Sequence, residues 1–121
     1  MYTISVTTEQ LWGKVERAVE REDPAETSAA LRRVLRQVVP EAHDSTEPRY
    51  HHPNPAAALR WLGIRGHLTL RVEVVGWHRY VVTLWDGRPG ITAKPTLLFR
   101  DATPDVYAVQ GLIGAAIRHA R

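Results

Sequence analysis

The sequence predicts an α+β domain: a three-stranded antiparallel β-meander packed against a C-terminal helix, with an N-terminal helical pair alongside. Three observations predict it. Residues 8–39 carry apolar side chains at helical spacing, broken once at Asp23-Pro24. Residues 67–85 switch to strict alternation on either side of Gly76-Trp77-His78, and residues 106–117 return to helical spacing. With 121 residues and 13.7 kDa, the chain can enclose one core, so a single domain over 1–121 is expected.

Tyr2, Ile4 and Val6 alternate with Thr3 and Ser5, which reads as a short strand. Thr7-Thr8-Glu9-Gln10 reads as a capping box, with Thr7 as N-cap and Gln10 at N3. The helix it opens has Leu11, Val15, Ala18 and Val19 on one side and Glu16, Arg17, Glu20 and Arg21 on the other. Asp23-Pro24 ends it and starts a second helix, with Asp23 as N-cap, Pro24 at N1 and Glu26 at N3. That helix carries Leu31, Val34, Leu35 and Val38 and closes before Pro40. Residues 41–53 form a long irregular loop, and Asn54-Pro55 then signals a short helix over 56–62 with Gly63 as its stop.

Leu68, Leu70, Val72 and Val74 alternate with Thr69, Arg71, Glu73 and Val75, and Tyr80, Val82 and Leu84 alternate with Val81, Thr83 and Trp85. A short turn at 76–78 pairs Val74 with Tyr80, Val72 with Val82 and Leu70 with Leu84, leaving one face wholly apolar. A third strand is expected within Ile91–Arg100, at an edge or with a bulge because of Pro95. The last helix is expected to open with Thr103 as N-cap and Pro104 at N1, and to lay Val106, Val109, Ile113, Ala116 and Ile117 on the sheet.

Cysteine is absent, which excludes disulfides and thiolate chemistry. Met1-Tyr2-Thr3-Ile4-Ser5 has neither a cationic flank nor an apolar run, so no signal peptide, no membrane association and a cytoplasmic location are expected. The formal charge is +3, divided as −1 over residues 1–60 and +4 over residues 61–121. Fourteen of the 16 cations are arginine, the better bidentate phosphate ligand.

Four patterns bear on function. His43, Asp44, His51 and His52 share the long loop and are candidate metal ligands, but no helical His-x3-His pair accompanies them, so no metal or cofactor is expected. Gly66-His67-Leu68-Thr69-Leu70 resembles half of the repeated motif of the two-histidine phosphoesterases. That resemblance implies an acid or base at His67 and a phosphate-gripping hydroxyl at Thr69, with His43-Asp44-Ser45 as the other half. Gly63-Ile64-Arg65-Gly66 resembles the Gly-x-x-Gly of KH domains, and the expected order of elements over 55–120 resembles double-stranded-RNA-binding domains in topology. Finally, Arg71, Arg79, Trp77, Trp85, Arg88 and Arg100 place cations and aromatics on or beside one sheet face, the composition with which sheets hold single strands.

The expected function is therefore a small non-enzymatic binding module that associates with nucleic acid through this Arg/Trp face. The alternatives are an interaction or assembly subunit, of bacterial or phage type, and a His-dependent phosphoesterase-like enzyme. Ala108, Gly111 and Ala115 form a small-residue face on the last helix, where a protein partner or a second copy could pack in a homodimer.

Overall fold

A computed structural model describes residues 7–44, 58–76, 78–88 and 92–119. The elements are α1 (Thr8–Glu20), α2 (Pro24–Val38), β1 (His43–Asp44), β2 (Ala58–Gly63), β3 (Leu68–Val74), β4 (Tyr80–Asp86), β5 (Thr96–Thr103), a 3-10 turn (Val106–Ala108) and α3 (Val109–His119). The class is α+β, as expected. The sheet is larger than a three-stranded meander: five antiparallel strands run in sequence order, the first of only two residues.

Local chemistry sets the helix starts. The Thr7 hydroxyl accepts from the Gln10 N–H at 3.1 Å, and Gln10 Oε1 accepts from the Thr7 N–H at 2.9 Å, which completes the capping box. Asp23 Oδ1 accepts from the Glu26 N–H at 3.1 Å, and Pro24 occupies the first turn of α2, where no N–H is needed. The expected strand over 2–6 lies outside the described residues.

The β3–β4 register is the one that alternation predicts: Leu70 opposite Leu84, Val72 opposite Val82, Val74 opposite Tyr80. Gly76 and His78, at φ +65° and +52°, turn the chain between these strands, and the Val75 N–H reaches the Arg79 carbonyl at 2.8 Å. All six paired side chains are buried and join one core with Leu11, Val15 and Val19 of α1, Leu31, Val34 and Leu35 of α2, and Val109, Ile113 and Ala116 of α3. All three helices thus pack on one face of the sheet.

Three expectations need correction. Of the helix expected over 56–62, residues 58–62 instead belong to strand β2, paired with β3 from Ala58 opposite Val74 to Gly63 opposite Thr69, and 56 and 57 lie outside the described residues. Ala56-Ala57-Ala58 favours a helix locally, but Leu62 belongs on the helix-covered face and Trp61 on the other. A strand buries both, Leu62 at 4% and Trp61 at 2% exposure, and pairs the run with β3 along its whole length. The third strand of the expected meander starts after Pro95 rather than around it and continues to Thr103 as β5, the last strand in the sheet order. The C-terminal helix starts later than Thr103: Asp105 caps a 3-10 turn by accepting from the Tyr107 N–H at 3.0 Å, and Thr103 stays in β5.

Tyr80 is a buried liability. Its hydroxyl is enclosed with no hydrogen-bond partner among the described residues. Burial first, then the charges of Glu16, Glu20, Asp105 and Tyr107, push its pKa from the ordinary 10.0 up to about 12. The unfolded chain gives up this proton near pH 10.0 and the folded chain only near 12, so the stabilisation is complete below pH 10.0 and lost as pH rises to 12. The loss should amount to about 3 kcal/mol. Tyr80→Phe is expected to flatten this alkaline limb and to raise neutral-pH stability by about 1 kcal/mol, since it removes an unsatisfied hydroxyl. Urea midpoints of both proteins across this pH range give the check; a Tyr80→Phe variant with the same alkaline loss would assign the limb to another group.

Candidate functional site

Strand pairing places Arg71, Trp85 and Arg100 on one sheet face, with Arg71 opposite Thr83 and Thr83 opposite Arg100. On the face away from the helices, Arg71 sits between two indoles, its guanidinium 5.1 Å from the Trp61 ring centre and 5.8 Å from that of Trp85. It also holds Glu73 at 3.0 Å, and the two side chains are only 12% and 7% exposed. Trp85 is half-buried and donates to the Thr83 hydroxyl at 3.1 Å. Arg71 and Trp85 thus serve a packed cluster with Trp61 rather than an open platform. Arg79 and Arg88 flank opposite ends of β4, whose seven residues span about 23 Å. Arg79 is exposed and Arg88 half-buried; Arg100 is exposed on β5, opposite Thr83. Trp77 lies outside the described residues.

The histidine patterns separate as well. His67 is 81% exposed at the start of the hairpin and lies 3.5 Å from Asp86. Thr69 is buried at 2% exposure, so its hydroxyl does not accompany His67 to a common surface. His43 and Asp44 form β1, which pairs with β2, and the loop ligands His51 and His52 lie outside the described residues. Among the described residues no group of three or more His, Asp or Glu could hold a metal ion. Gly66, at φ +69°, serves the turn between β2 and β3, and β2 replaces the first helix of the double-stranded-RNA-binding order.

On α3, Gly111 is exposed, and an added Cβ there would meet nothing within 4 Å. Ala108 is exposed in the 3-10 turn and Ala115 is half-buried. Gly111→Ala is therefore expected to stabilise the isolated chain by about 0.5–1 kcal/mol through helix propensity alone. Thermal melts at low and high protein concentration test this; a destabilised variant would put a close neighbour against that face.

The cations that do converge lie on the helical pair. Lys14 and Arg17 of α1 and Arg21 at its C-cap stand at i, i+3 and i+7, so helical geometry stacks them on one stripe. They line a cleft of about 300 Å³ along the α1–α2 seam, whose other wall carries Arg33 and Glu26 of α2. Lys14 and Arg17 also border a second cleft of about 530 Å³, completed by Glu9, Gln10, Gly13 and Tyr107. The two clefts therefore meet along the Lys14–Arg17 ridge.

All four cations are exposed, and among the described residues none makes an ion pair or a side-chain hydrogen bond. Such a stripe is costly for a helix. Arg17 and Arg21 form a like-charged i,i+4 pair, and so do Glu16 and Glu20 beside them, each costing a few tenths of a kcal/mol. Mixed-sign spacing would have stabilised α1; charge segregation leaves a positive ridge that faces solvent. Sequence reading placed Arg17 and Arg21 on the solvent side of this helix but did not single out the stripe. Its spacing was the available signal.

No protein-family model, no curated protein and no solved structure matches the chain. Among the described residues, no helix is long and apolar enough to cross a membrane.

Proposed function

We propose that the protein is a non-enzymatic binding module for nucleic acid, which it holds through the helical pair rather than through the sheet. The carrying observation is the convergence of Lys14, Arg17, Arg21 and Arg33 on one cleft without anionic partners among the described residues. Four cations along an open seam match a ligand that presents a row of phosphates. Arginine supplies three of them, with planar donors that fit phosphate oxygens two at a time. Glu26 is the one carboxylate of that cleft, and it leaves a net positive lining.

The overall charge of +3 is too small to draw a polyanion by itself, so a local concentration of charge has to do it. The test is purification at low salt followed by elution across a salt gradient, with nucleic acid read from the absorbance ratio. Nucleic acid that travels with the protein and leaves as salt rises supports the reading. A protein that is free of nucleic acid at every salt, and that also fails to shift a labelled oligonucleotide at low salt, overturns it.

A further inference from the structure

We infer that the occupant is a single strand, with one base stacked on Tyr107 while the neighbouring phosphates lie on Lys14, Arg17, Arg21 and Arg33. This rests on the nucleic-acid reading above and adds the substrate class. Tyr107 is 48% exposed and, with Leu97, is one of the two large hydrophobic side chains exposed among the described residues. It is also held in place. Its N–H is tied to Asp105 at 3.0 Å, and its hydroxyl lies 3.4 Å from where a Cβ on Gly13 would stand, so the ring leans on α1 at the residue without a side chain. With the backbone fixed and the ring resting against α1, less freedom is lost when a ligand stacks on it.

The charges around the two clefts divide the ligand. The seam cleft has four cations to one carboxylate, a lining suited to backbone phosphates. The larger cleft has Lys14 and Arg17 on its shared rim, with Glu9 and Gln10 one turn earlier on α1 and Tyr107 from the 3-10 turn. Glu9 disfavours a phosphate in that space, whereas a base offers an aromatic face to Tyr107 and edge N–H groups to a carboxylate or an amide. At about 530 Å³ the cleft is within the range of small-ligand pockets. A duplex keeps its bases stacked on one another and cannot present one to Tyr107; a single strand can.

The experiment uses the full chain, a labelled oligothymidine of about 16 nucleotides, an oligouridine of the same length, and a duplex of that length. Affinities are read by fluorescence anisotropy for the wild type, Tyr107→Ala and Tyr107→Phe. Tyr107→Ala is expected to weaken both single strands about tenfold and to leave the duplex unchanged, and Tyr107→Phe is expected to bind like the wild type. Stacking is tolerant of the sugar, so DNA and RNA strands should respond alike. Equal losses on single strands and duplex, or no loss on single strands, overturn the stacking inference while the phosphate seam stands. A wild type that binds none of the three probes overturns the nucleic-acid reading and this inference with it. Thermal melts of the two variants separate lost stacking from lost fold, because Tyr107→Phe keeps the ring against Gly13.

Discussion

Val82→Asp should abolish cooperative folding. Val82 is fully buried in β4, beneath the helices, with Val72 on one side and Asp101 on the other across the sheet. A carboxylate there loses its water, gains no cationic neighbour from either adjacent strand and faces Asp101 on the same side of the sheet. Burying such a group costs several kcal/mol, comparable with the roughly 5–15 kcal/mol that holds a domain of this size together. Val72→Asp should be milder. Arg60 stands opposite Val72 in β2 and can supply a partial counter-charge. Circular dichroism melts rank the two variants. A Val82→Asp protein that melts cooperatively with a native near-UV spectrum would show that this face of the sheet is not the core.

The second large effect concerns binding. Arg17→Glu combined with Arg33→Glu reverses one charge on each wall of the seam, and single-strand affinity at about 50 mM salt should fall about a hundredfold or more. At about 1.4 kcal/mol for each factor of ten, that is near 3 kcal/mol for two lost contacts plus the repulsion that replaces them. Both side chains are exposed and make no ion pair among the described residues, so the fold should be unaffected. Arg79→Glu with Arg100→Glu is the matched control. It changes the net charge by the same amount on exposed residues of the sheet side. If net charge alone draws the ligand, the two double variants will weaken equally; if the seam holds it, the first will lose far more. A larger loss from Arg79 and Arg100 would return the interface to the sheet.

The fold was largely legible where side-chain period and local caps agreed. Thr7 with Gln10, and Asp23 with Pro24 and Glu26, mark helix starts by chemistry that involves only neighbouring residues. Leu70, Val72, Val82 and Leu84 mark a register because a one-residue slip would expose all of them. β2 was not legible, since its alanine-rich start and Gly63 read as a short helix, and only pairing with β3 decides otherwise.

That single misreading carried through to the site. Without β2, Trp61 has no place beside Arg71, and Arg71 reads as a surface cation instead of a guanidinium packed between two indoles. The seam was half legible. Lys14, Arg17 and Arg21 form a stripe from spacing alone, whereas Arg33 and Tyr107 join it only through the packing of α2 and the 3-10 turn against α1. Tyr107 in particular was expected inside the last helix, and its place in a capped turn ahead of α3 is what sets it beside Gly13.

The central claim, that phosphates lie on four specific cations, is tested most directly by the salt dependence of single-strand binding. Each neutralised phosphate on a single strand contributes about −0.7 to the slope of log affinity against log salt. Four contacts predict a slope of about −3 for the wild type, and losing two of them should bring Arg17→Glu/Arg33→Glu to about −1.4. A slope that is the same in the two proteins, or near zero in the wild type, would contradict the account.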